Sequence, residues 1–152
     1  MTDPVSPSAR PRIVDIAFWL LVLGAVLLMF GGMIALATNF DSVRAVAAES
    51  VSDDTVRDYL TLHRAAGVFC VVVGVSLAYV AGRMRSGDAR FRRSAIALSI
   101  AAVVLIGLLA VIAGVHLVAL LALVLVMGSA VSLTRPAAAE WFGAGARDEG
   151  AR

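Results

Sequence analysis

The chain has no lysine and no glutamine, one asparagine, Asn39, and one cysteine, Cys70. A lone thiol cannot form an internal disulfide or a dithiol redox pair, which excludes the four-helix thiol oxidoreductases. All 13 basic residues are arginine. Lysine, glutamine and asparagine have AT-rich codons, whereas the abundant Ala, Gly, Val and Arg have GC-rich ones. That bias points to a high-GC bacterial genome. Catalytic signatures are also missing: there is no phosphate-binding glycine loop, no HExxH, no CxxC and no nucleophile–base pair. The expectation is a protein that is not an enzyme and has no cofactor. The net charge of +2 is no nucleic-acid signal, because the arginines flank apolar stretches instead of clustering on one folded face.

What the chain does have is hydrophobicity, 61% of 152 residues. It is concentrated in four almost charge-free runs, at about 16–38, 62–82, 94–114 and 116–134. Each approaches the roughly 20 residues a helix needs to cross a bilayer. The first run is too long for the apolar core of a signal peptide, so it reads as an uncleaved span. Residues 94–134 are too long for one crossing: at 1.5 Å per residue, Ala95–Leu133 alone would reach about 60 Å. Gly114 is the expected break, with His116 at the turn.

The links divide by charge. Residues 40–61 carry Asp41, Glu49, Asp53, Asp54 and Asp58 against Arg44 and Arg57. Residues 83–93 carry Arg83, Arg85, Arg90, Arg92 and Arg93 against Asp88. Arg10 and Arg12 precede the first span, and Arg135, Arg147 and Arg152 lie in the tail, 135–152. The positive-inside rule then places both termini in the cytoplasm and the acidic loop outside a bacterial plasma membrane. The expected fold is all-α: a four-helix transmembrane bundle in up-down order, N-in and C-in, with a short acidic helical cap.

Local signals refine this outline. Ser52 is a candidate N-cap, with Asp53 and Asp54 complementing the helix dipole, so the second long helix is expected to begin near Asp53. Asp53 and Arg57, four apart, are expected to pair. Phe40–Ser50 is a candidate second short helix. Thr134-Arg135-Pro136 opens an expected interfacial helix over Ala137–Phe142, followed by a disordered tail.

Spans associate through close packing of small residues. Ala66, Cys70, Gly74, Ala78 and Gly82 recur every four residues, and Ala17, Gly24 and Gly31 every seven. Both sets are candidate packing seams, either within one chain or towards another subunit. Val73, about 100° round the helix from Gly74, is the comparison position: a bulky side chain is expected to be tolerated there if it faces lipid.

Ion-coupled transporters keep an ionisable residue inside the membrane, and no span here carries one at mid-depth. His63 and His116 are candidate haem or metal ligands, but no carboxylate, Cys or Met is spaced to complete a tight site, and interfacial hydrogen bonding is the simpler role. The Arg83–Arg93 cluster suits anionic lipid headgroups as well as orientation. Expected partners are membrane lipids and other membrane subunits or further copies of the chain, with no nucleic acid.

Three segments carry a resemblance: Arg12-Ile13-Val14-Asp15-Ile16-Ala17-Phe18-Trp19, Gly82–Arg93 and Thr134-Arg135-Pro136. With them the chain resembles small four-span membrane proteins of high-GC Gram-positive bacteria. That resemblance implies a multi-span helical fold and no particular activity. The leading expectation is an accessory or structural subunit of a cell-envelope or membrane complex. The alternative is a small homo-oligomeric channel or transporter, lined by Ser76, Ser94, Ser99, Ser129 and Ser132.

Overall fold

A computed structural model describes residues 11–85, 88–113 and 117–150, and their side chains except those at 89, 113 and 144–150. The described residues form six helices: α1 (Arg12–Ala37), α2 (Phe40–Arg44), α3 (Asp53–Met84), α4 (Ala89–Ala113), α5 (Leu117–Thr134) and α6 (Pro136–Gly150). Four of them, α1, α3, α4 and α5, are long and apolar enough to cross a membrane. The protein is therefore an all-helical, multi-pass membrane protein.

Local chemistry sets the helix ends. The Asn39 side chain accepts the Ser42 N–H at the start of α2, and Ser52 Oγ accepts the Thr55 N–H at the start of α3. Each satisfies one of the orphan donors of a first turn. Asp88 Oδ1 accepts the Arg90 N–H at 2.7 Å and opens α4 in the same way. At the other polarity, the Arg64 guanidinium donates to Thr38 O at 3.2 Å, and Arg92 Nε donates to Leu133 O at 3.0 Å. Both cations satisfy carbonyls that a helix C-terminus leaves open.

The spans pack in a ring, α1 on α3, α3 on α4, α4 on α5 and α5 on α1. Neighbours run antiparallel. Along the α1–α3 seam Gly32 meets Gly67 and Ala25 meets Gly74; along α1–α5 Gly24 meets Val126 and Ala17 meets Ser129. This alternation gives the molecule two ends. The acidic end holds α2 and the first turns of α3. The arginine-rich end holds the α3–α4 link and α6.

The two ends depart from expectation in different ways. At the acidic end Arg57 pairs with Asp54, at 2.8 Å, rather than with Asp53. Asp53 instead takes Arg44 at 3.4 Å, because Arg44 already reaches across the loop to donate to Val51 O. The short helix stops at Arg44 instead of running to Ser50. At the arginine-rich end α6 continues to Gly150, past the expected stop at Phe142. It is tethered through Ala138 and Phe142, which are fully buried beneath the bundle. A helix anchored by packing need not rely on its own propensity.

Candidate functional site

The interior is filled unevenly. At the arginine-rich end Leu21, Leu77, Met84, Leu133 and Phe142 are fully buried and belong to one apolar cluster. At the acidic end the same four spans leave a cavity of about 60 Å³. Its walls include Gly31 and Gly32 of α1, His63 and Cys70 of α3, Ala110 of α4 and Ala119 of α5. Seven of its thirteen lining residues are Gly or Ala, so the space exists because side chains there are short.

One wall of this chamber is tightly packed. A methyl group on Gly32 would sit 2.6 Å from Gly67 O, and one on Gly67 would sit 2.8 Å from Gly32 O. The α1 and α3 backbones therefore touch, an approach only glycine permits. Next to Gly32, a methyl on Gly31 would meet only Val118, at 3.6 Å.

Of the lining side chains among the described residues, His63 alone carries nitrogen or oxygen. It is 4% exposed and its ring stacks on Tyr59, with centroids 5.4 Å apart and planes 19° apart. Its burial against the neighbouring helices was not anticipated. It arises because His63 lies on the same face of α3 as Leu60, Gly67, Gly74 and Leu77, the face turned inward. Gly114 and His116, the expected break and turn, lie outside the described residues. No group of three or more His, Cys, Asp or Glu side chains capable of holding a metal occurs among the described residues.

The candidate seams divide. Ala17 and Gly24 are buried against α5, where a methyl on Gly24 would lie 2.7 Å from Val126 Cγ2. Gly31 is half-buried at the chamber wall. In α3, Gly74 is buried and faces Ala25 O and Met29, while Ala66, Cys70 and Ala78 are half-buried. Gly82 is exposed, and a methyl added there would meet nothing within 4 Å. The four-residue repeat is thus not one continuous face. Sixteen residues at 3.6 per turn rotate the stripe by about 160°, so it winds off the seam. Spacings of three and four, averaging 3.5, stay on it. Val73 is also inside, at 9% exposure, because α3 packs on α1 and α4 at once; Val72, 57% exposed, takes the outward position.

Arginines of residues 83–93 have intramolecular contacts. Arg83 lies over the Phe91 ring at 5.3 Å and Arg85 over Phe18 at 4.7 Å, while Arg92 caps α5. Arg90 and Arg93 are exposed. The serines do not converge on a path. Ser76 and Ser132 donate to Val72 O and Gly128 O of their own helices, and Ser129 donates across to Ala17 O at 2.8 Å. Ser99 is buried with no hydrogen-bond partner among the described residues, and Ser94 is exposed.

Sequence reasoning overlooked Gly32, Gly67 and Phe142. The adjacent pair Gly31-Gly32 was the available signal for the first, since two neighbouring glycines put one on each of two adjoining faces. Comparison with protein-family models, with curated proteins and with solved structures gives no match.

Proposed function

We propose that this chain is a non-enzymatic subunit, accessory or structural, of a bacterial cell-envelope or membrane complex, with both termini in the cytoplasm and the acidic cap outside. The observation that carries this reading is the unequal enclosure of the spans. In α4 22% of the apolar window is buried, against 33% in each of the other three. Ile100, Val104, Leu108 and Val111 form its exposed side. Such a face suits lateral contact with another membrane helix as well as with lipid.

The channel alternative is less well supported. The five candidate serines face different neighbours, and Met84, Leu133 and Phe142 fill the arginine-rich end. Gentle detergent extraction followed by mass spectrometry tests the subunit reading: a stoichiometric membrane partner is expected, and recovery of free monomer alone would sink it. Solute flux through proteoliposomes of the purified chain would favour the alternative. For orientation, a cysteine placed at Ser50 should react with an impermeant thiol reagent in intact cells, and one at Ser86 should not. The reverse pattern refutes the N-in arrangement.

A further inference from the structure

We propose that the bundle binds an anionic phospholipid at its arginine-rich end, with the phosphate at Arg92 and Arg93 and an acyl chain in a groove between α4 and α5. The groove has a volume of about 200 Å³ and is lined by Ile100, Val103 and Val104 of α4 and by Met127 and Ala130 of α5, among others. Ile100, Val104 and Met127 are each more than half exposed, so the groove opens on the outer side of the bundle. No charged side chain lines it. An acyl chain can enter from the bilayer without passing through water.

Charge at one end of the groove selects the occupant. Arg93 is exposed and stands two turns before Ile100, about 10 Å along α4 and within about 20° of it round the helix. Arg92 is held over the α4–α5 seam, because its Nε donates to Leu133 O at 3.0 Å. That bond uses one of the five donors of a guanidinium. Neither arginine is in an ion pair among the described residues. Asp88, the one acid in residues 83–93, turns its Oδ1 to the Arg90 N–H instead. A phosphodiester accepts strong, paired hydrogen bonds from such groups, and its glycerol esters and first methylenes bridge the distance down to Ile100. A headgroup that also carries an ammonium would bring a cation against two arginines, which repel it. The fitting headgroup is therefore one with net negative charge, as in phosphatidylglycerol.

The test uses the full chain in phosphatidylcholine nanodiscs doped with a phosphatidylglycerol that carries a diazirine on one acyl chain. Illumination and peptide mass spectrometry should place the label on residues 100–104 and 127–130. Excess unlabelled phosphatidylglycerol should reduce that labelling about tenfold by mass action. The same excess of phosphatidylethanolamine, which has the phosphate and an ammonium, should leave it nearly unchanged. Arg93→Gln should lower labelling about fivefold, one arginine's share of the attraction to an anionic headgroup, and Arg93→Lys should retain most of it. Arg12→Gln removes the same charge from α1, which does not touch α4, and should change nothing. Ala130→Leu, which fills the groove and leaves both arginines in place, should lower labelling as far as Arg93→Gln. Equal competition by phosphatidylethanolamine, an equal loss in Arg12→Gln, or label spread evenly over the exposed sides of α1 and α3 would overturn the proposal. Undiminished labelling of folded Arg93→Gln would do the same, and the wild-type competition and label positions decide if the variants do not fold.

Discussion

The same four helices build a filled core at one end of the bundle and a chamber at the other. At the arginine-rich end the inward positions are Leu21, Leu77, Met84 and Leu133, and Phe142 of α6 inserts beneath them. At the acidic end they are Gly31, Gly32, Gly67 and Ala110. Composition is similarly apolar at both ends, so hydrophobicity does not separate them. Side-chain length does. Where large residues meet, the space fills. Where glycines meet on one seam only, the backbones close there and a gap opens across the ring.

The largest expected effect breaks the filled end. Phe142→Ala should destabilise the bundle by about 3 kcal/mol, the low end for deleting a buried phenyl group, read by denaturant titration in detergent. It should also free α6 for proteolysis. If stability is unchanged, α6 is only resting on the surface, and the two ends differ less than their burial implies.

Neighbouring glycines sharpen the contrast at the chamber. Gly32→Ala should cost about 1–3 kcal/mol, since its methyl would press on the Gly67 carbonyl. Gly31→Ala should be neutral or stabilise by about 0.5 kcal/mol, because its methyl meets only Val118. The same denaturation assay distinguishes them, and equal costs would mean that the α1–α3 seam is not the tight wall. Gly74→Leu belongs with Gly32, and the matching lipid-facing control is Val72→Leu rather than a change at Val73.

Smaller effects are expected away from both regions. Ser129→Ala should cost about 0.6 kcal/mol, typical of one interhelical hydrogen bond in a membrane protein. A double-mutant cycle is unnecessary here, because the acceptor is the Ala17 backbone carbonyl. Gly82→Ala should stabilise by about 0.5 kcal/mol, since the site is helical and open and alanine costs less chain entropy. A measurable loss at Gly82 would restore the four-residue stripe as a packing surface, most simply towards another chain.

The number of apolar helices long enough to span a membrane and the start of α3 at Asp53 behind its Ser52 cap were legible in the sequence. These are local properties: hydropathy, capping oxygens and the first-turn acids act within a few residues of where they stand. Partner choice is not local. The sequence marked Ala17, Gly24 and Gly31 as one set, yet which helix they face depends on the ring order, and that order placed α5 there and left Gly32 to α3. Whether His63 sits at an interface or inside depends on which side of α3 the neighbours cover. A four-residue stripe looks continuous on paper and winds off the seam on a helix of 3.6 residues per turn. Phe142 reads as the end of a short interfacial helix until α6 is seen packed against the bundle. Burial of this kind arises from contacts between residues far apart in the chain, and only the assembled helices determine it.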